Sequence, residues 1–118
     1  MLKVHAKKLD AIEVLCLEGQ IVNGDTEILR RSVQLAPADS DIILDFANVS
    51  VVDAHGLGVL LQLREQALAK GVRFELMNAS RRVYRIFEIT RLNTVFEIHS
   101  GVQYFPRVAF PQQVAVAA

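Results

Sequence analysis

Apolar residues along the chain come in short blocks, and the spacing inside the blocks switches repeatedly between two kinds. Ile12–Glu18 carries branched and apolar residues on both parities, the pattern of a strand covered on both faces, and it is expected to stop at Gly19. Val4–Leu9 reads as a more polar strand, joined to it by a turn at Leu9-Asp10-Ala11. Asn23-Gly24-Asp25-Thr26 is a turn able to cap a helix. Beyond it Leu29, Val33 and Ala36 recur at i, i+4 and i+7, an amphipathic helix that ends near Pro37. Asp41–Phe46 is the continuous apolar run of a buried strand. Leu57, Leu60, Leu61 and Leu68 then mark one face of a second helix, closed by Lys70 and Gly71 in the expected order of cation, then glycine. Val72–Met77 predicts another strand, Ser80 the N-cap of a third helix with Val83, Ile86 and Phe87 inward, and Val95–Ile98 a last strand.

Strands separated by helices imply parallel crossovers in one central sheet, so the fold class is α/β with a mostly parallel sheet. The domain is expected to span residues 1–105, with Ser100–Phe105 forming one more turn or short helix. Residues 106–118, with prolines at 106 and 111, read either as a disordered tail or as a segment that docks on a subunit or partner.

Composition narrows the functional classes. A chain of 118 residues holds one domain and not two. With 13 basic and 13 acidic residues its formal net charge is zero, so the positive excess of a nucleic-acid binder is missing and no nucleic-acid partner is expected. The single cysteine, Cys16, excludes an internal disulfide and a cysteine-based zinc site; within an apolar strand it reads as a buried structural thiol. His5, His55 and His99 share no metal-ligand spacing, so no metal is expected. The first residues lack the apolar core of a signal peptide, and no run approaches the ~20 residues of a membrane helix. The expectation is a cytoplasmic domain without membrane insertion.

The most informative stretch runs from Val49 to Leu61, between the Asp41–Phe46 strand and the leucine-rich helix. Such strand-to-helix loops form the ligand and partner edge of an open α/β sheet. Asp53 stands where an N-cap is wanted. Gly56 permits close approach of backbone, and Gly58 is expected to let the helix lie tightly on the sheet. Each glycine costs a helix on the order of 1 kcal/mol against alanine, so something other than helix propensity places them. Gly56-Leu57-Gly58 is only the first half of a dinucleotide fingerprint, because Leu61 stands where a third glycine belongs. A phosphoacceptor-aspartate domain would need an acidic pair on an early strand and a lysine on a late one; Ile12–Leu17 is followed by Glu18 alone, and Val95–Ile98 has no lysine. His55 oriented by Asp53 has no serine or cysteine nucleophile tied to it by sequence, and reads as a surface or capping histidine.

Asp53-Ala54-His55-Gly56-Leu57-Gly58, after the strand end Leu44-Asp45-Phe46, resembles the signature of STAS domains, the bacterial anti-sigma factor antagonists and their relatives. Gly71 before a strand, the Asn78-Ala79-Ser80 turn into a helix and a terminal strand extend the likeness over roughly residues 4 to 105. The resemblance implies a mostly parallel sheet with an antiparallel edge strand and helices on one face. It also implies a partner-binding loop made of Asp53, Ala54, His55, Gly56, Leu57 and Gly58. The family usually carries Asp-Ser-Ser-Gly-Leu-Gly, or the same with threonine. Its hydroxyl residue before the first glycine is phosphorylated by a partner serine kinase that also acts as the anti-sigma factor. A phosphate there meets a helix N-terminus and adds about −1.5 to −2 charge beside the aspartate, enough to reverse docking. Here the phosphoacceptor position is His55 and the one before it Ala54, so neither offers an alcohol oxygen.

The function implied is a non-enzymatic, cofactor-free interaction module, an anti-sigma factor antagonist. Its partner would be an anti-sigma factor or serine kinase of the histidine-kinase-like ATPase type, and a homodimer is also open. Two alternatives stand beside it: a STAS subunit regulating a transporter or stress-signalling complex, and a small nucleotide- or ligand-binding domain.

Overall fold

In the computed structural model, residues 1–99 are described. Five strands, β1 (Lys3–Leu9), β2 (Ile12–Ile21), β3 (Asp41–Val52), β4 (Phe74–Met77) and β5 (Ile98–His99), form one sheet in the order in which they occur in the chain. The hairpin β1–β2 is antiparallel, and β2–β3, β3–β4 and β4–β5 are parallel. Helices α1 (Glu27–Leu35), α2 (Ala54–Ala69) and α3 (Arg81–Ile89) make the crossovers. Each crossover steps one strand in the same direction, and right-handed crossovers taken in one direction must place every helix on the same face. The fold is therefore a single α/β domain with an antiparallel edge strand and helices on one face, as expected.

Strand alternation sorts the side chains between the two faces. Leu15, Leu17, Ile42, Leu44, Phe46, Phe74 and Leu76 meet Leu29 of α1, Leu60 and Leu63 of α2, and Val83 and Phe87 of α3 in the main core. Phe87 sits edge-on to both Phe46 and Phe96, with ring centroids 6.3 and 5.6 Å apart. Val14, Ile43 and Met77 point the other way, packed with Leu9, Ile12 and Cys16.

Four elements differ from the sequence expectations. β2 does not stop at Gly19, and β3 runs on past Phe46 to Val52, because the two strands extend together: Gly19 pairs with Val49 and Ile21 with Val52. Register shifts between Cys16 and Glu18 and between Gly19 and Gln20 accommodate the extension. Gly19 takes φ 121°, and a Cβ there would stand 2.4 Å from the Met1 carbonyl oxygen. β4 starts at Phe74, two residues later than predicted. Val95 lies outside a strand: a short 3₁₀ turn over Leu92–Thr94 is closed by Val95 N–H donating to Leu92 O, and β5 begins at Ile98. Phe96, counted among the strand residues, instead fills the core at 3% exposure.

On α2 the buried stripe is Gly56, Leu57, Val59, Leu60, Leu63 and Ala67. Leu61 is only partly buried and Leu68 is 50% exposed. At 100° per residue, this stripe lies roughly a quarter turn from the leucine face read from sequence. Helix ends follow the chemistry anticipated: Asp53 caps α2, Ser80 Oγ accepts from Val83 N–H at α3, and Gly71 closes α2 at φ 78°. Thr26 stands at the start of α1, but its side chain makes no capping bond. The turn or helix expected over Ser100–Phe105 lies outside the described residues.

Candidate functional site

Asp53 joins two loops. Its backbone is extended at the end of β3, and one carboxylate oxygen accepts from Gly56 N–H at 2.8 Å, the capping bond of α2. The other oxygen accepts from Asn23 N–H at 3.0 Å, in the loop that leads from β2 to α1. Asp53 N–H in turn donates to Ile21 O at 3.2 Å. Donation from Gly56 and Asn23, helped by the nearby His55, holds the Asp53 carboxyl below the usual carboxylate range. The sequence marks Asn23 only as part of a turn able to cap a helix. Its role in the site depends on the joint extension of β2 and β3, which carries Ile21 beside Asp53, and no local pattern signals that.

Gly56 is where the two loops press together. A Cβ at Gly56 would stand 2.0 Å from Ile21 O, so only hydrogen fits. Gly58 contradicts its expected role: it is exposed, and a Cβ there would meet nothing within 4 Å. It faces away from the sheet and contributes nothing to how tightly the helix lies on it. Ala54 and His55 are exposed, while Leu57 is buried in the core. His55, Gly58, Gln62 and Glu65 follow one another at three- and four-residue spacing on the open side of α2. The helix thus presents a face of small and polar residues, opposite its buried stripe. Arg30 of α1 donates to Gln62 Oε1 at 2.7 Å and continues that surface onto α1.

Asp45 belongs to a different cluster. Its carboxylate accepts from Ala47 N–H at 2.9 Å, from Asn78 Nδ2 at 3.3 Å and from Cys16 Sγ at 3.9 Å. It therefore ties β3 to the β4–α3 loop and not to the Asp53 loop. Cys16 is half-buried; burial and the adjacent Asp45 push its thiol above the ordinary range, which keeps it protonated and unreactive near neutral pH. A groove of about 610 Å³ opens at the carboxyl ends of β4 and β5, bounded by Asn78, Ser80, Tyr84 and His99. No residue from Asp53 to Gly58 borders it. His5, His55 and His99 lie on β1, α2 and β5, with β1 and β5 at opposite edges of the sheet.

Sheet order, one-sided helices and the Asp53–Gly58 turn together define a STAS domain. The family model of that description matches residues 3–105, and the chain belongs to this family. Within it, the chain is similar to the anti-sigma-B factor antagonist of Bacillus subtilis (strain 168), with 32% identity over 92 residues that cover 74% of this chain and 84% of that protein. The solved structure of the anti-sigma factor antagonist SpoIIAA in its unphosphorylated form superposes with a TM-score of 0.71 at 22% identity, covering 90% of this chain and 96% of that one. A sulfate transporter family protein from Wolinella succinogenes gives 0.71 at 18% identity, covering 82% and 83%. At these identities the two structures share the fold. The chain is an anti-sigma factor antagonist-like STAS domain.

Proposed function

We propose that this chain is a non-enzymatic binding module that docks on an anti-sigma factor or serine kinase through the Asp53–Gly58 turn and the open face of α2, and that His55 removes the phosphoswitch at that surface. One observation carries the reading. Gly58 costs the helix on the order of 1 kcal/mol, and neither a close approach nor a positive φ requires it. A glycine kept flat on an exposed helix face beside a loop fixed by Asp53 suits a partner that needs to come close. Asp53, Ala54, His55, Gly56, Leu57 and Gly58 then divide their work. Asp53 and Gly56 hold the turn, Leu57 anchors it in the core, and Ala54, His55 and Gly58 meet the partner. A cytoplasmic site of action fits such a partner. Among the described residues no helix is long and apolar enough to cross a membrane.

Transfer of a phosphoryl group to this turn needs an alcohol oxygen held in line with the nucleotide's terminal phosphate, and positioning supplies most of the catalysis. Ser50 donates to Gly19 O at 3.3 Å on β3, and Ser80 caps α3, so each hydroxyl is committed away from the turn. The chain would then act as a permanently unphosphorylated binder that titrates its partner by abundance.

The test pairs affinity with intact mass, using the serine kinase encoded nearest the gene. Gly58→Leu should weaken binding strongly in calorimetry while the far-ultraviolet spectrum stays unchanged; unaltered affinity overturns the docking face. Wild type incubated with kinase and ATP should gain no phosphate, whereas His55→Ser should accept some. Stoichiometric phosphate on wild type overturns the switchless reading.

A further inference from the structure

Asn23-Gly24 is the one Asn-Gly pair of the chain; Asn48, Asn78 and Asn93 precede valine, alanine and threonine. The pair forms the centre of a turn that Asp25 N–H closes by donating to Val22 O at 2.9 Å, and Gly24 supplies the positive φ of 96° at its third position. Both residues are exposed. Asn23 bonds through its backbone N–H to Asp53, and among the described residues neither its side-chain amide nor the Gly24 N–H makes a hydrogen bond. A Cβ on Gly24 would meet nothing within 4 Å, so no neighbouring group crowds this corner of the turn. The other asparagines are held differently. Asn48 pairs with Glu18 inside the sheet, the Asn78 side chain donates to Asp45 at 3.3 Å, and Asn93 lies in the 3₁₀ turn. An unbound side-chain amide followed by an unshielded backbone nitrogen is the arrangement in which the backbone attacks the side chain, and glycine hinders that attack least.

We propose that Asn23 is a self-modification site, at which the Gly24 nitrogen displaces the side-chain ammonia and the products loosen the loop that Asp53 holds. The inference is independent of the docking face proposed above. The Gly24 nitrogen gives up its proton to solvent base and bonds to Asn23 Cγ. The bond from Cγ to the side-chain nitrogen breaks, and ammonia leaves with a proton taken from solvent. The product is a five-membered succinimide spanning residues 23 and 24. Water then opens it at either carbonyl. Cleavage at Cγ leaves aspartate; cleavage at the main-chain carbonyl leaves isoaspartate, whose backbone runs through the former side chain. One water enters, one ammonia leaves, and nothing is oxidised or reduced. Either product adds one negative charge to a chain of zero net charge, in the loop whose Asn23 N–H donates to the Asp53 carboxylate at 3.0 Å. Isoaspartate also adds one backbone atom inside the turn that Asp25 N–H closes on Val22 O, and so spoils the geometry of that bond. Asp53 keeps Gly56 N–H on its other oxygen at 2.8 Å, so α2 retains its cap while the β2–α1 loop is released. The change is slow, local and one-way.

The experiment ages the full chain at physiological temperature in mildly alkaline buffer, with and without enough urea to unfold it, and maps the asparagines by peptide mass spectrometry. A protein isoaspartyl methyltransferase with a labelled methyl donor reads isoaspartate. In the folded chain Asn23 should convert first, to a mixture of aspartate and isoaspartate, with ammonia released mole for mole, while Asn48, Asn78 and Asn93 keep their amides. Conversion of Asn23 only in urea, or of another asparagine before it, overturns the inference. Asn23→Gln disfavours the five-membered ring and should release no ammonia over the same period; release at the wild-type rate overturns the assignment. In the aged fraction, separated by anion exchange, hydrogen exchange at the amides of residues 23 and 25 should quicken several-fold while Leu60 and Leu63 keep their rates. Unaltered exchange at 23 and 25, or equal acceleration at Leu60 and Leu63, overturns the local release of the loop.

Discussion

One methyl group has opposite consequences at two glycines two residues apart. At Gly56 it would collide with the Ile21 carbonyl, a backbone atom that cannot rotate away, so Gly56→Ala should destabilise by about 3 kcal/mol, the upper end of overpacking costs. At Gly58 it meets open space, so Gly58→Ala should stabilise by roughly 0.5–1 kcal/mol through helix propensity. Urea unfolding of the two variants checks both signs. Asp53 gives a pH-dependent counterpart. Its carboxyl is held below the usual range chiefly by the Gly56 and Asn23 amides, which bond the charged form. As pH falls the unfolded chain therefore takes up the proton first. The contribution of Asp53 is complete above the ordinary value near ~3.9 and is lost as pH drops through the folded value. Asp53→Asn should be less stable than wild type at pH 7, and the gap should narrow on acidification; a constant gap would show that the ionised form gains nothing from these bonds. Asp53 and Gly56 were legible in the sequence because capping and close approach leave local marks. The role of Gly58 was not, since which side of a helix a glycine occupies depends on how the helix is rolled against the sheet.

That roll is a property of the element. Leucines at 57, 60, 61 and 68 suggest a face, yet the buried stripe keeps only Leu57 and Leu60 of these and adds Gly56, Val59, Leu63 and Ala67. Gly56 explains the choice: with its Cα against Ile21 O, the start of α2 has one permitted orientation, and the rest of the helix follows it. Leu63→Ala should therefore cost about 2–5 kcal/mol, whereas Leu68→Ala should fall within about 0.5 kcal/mol of wild type. Equal losses at the two positions would mean that the leucine face read from sequence is the buried one. The long arms of β2 and β3 were missed for a related reason. Ala47, Asn48 and Ser50 have little strand propensity, and the pairing that makes them a strand lies about thirty residues earlier in the chain. Near the end of the sheet, Phe96 packs against Phe87, and the 3₁₀ turn before it sets it there. An apolar pattern such as Val95–Ile98 fits either a strand or a turn that buries one ring, and tertiary packing decides between them.

For the molecule as a whole, strand order equal to chain order leaves two different edges. At one of them β1 runs for seven residues, and among the described residues no strand pairs with its outer side. Such an edge invites pairing between copies unless it is blunted. Lys3, Lys7 and Lys8 are exposed along it, and joining two copies would bring like charges together at close range. The lysines thus oppose the homodimer geometry that an open edge would otherwise offer, in a chain whose zero net charge gives no long-range repulsion. Replacing Lys3 and Lys7 by threonine keeps strand propensity and removes the charge. In sedimentation velocity the double variant should associate as concentration rises, whereas wild type should hold one sedimentation coefficient over the same range. Because the repulsion is electrostatic, raising salt should move wild type part of the way toward the variant, since exposed charges are screened over about 10 Å at 0.1 M. A double variant that stays monomeric at every concentration would show that the edge is closed by the twist of the hairpin and not by its lysines.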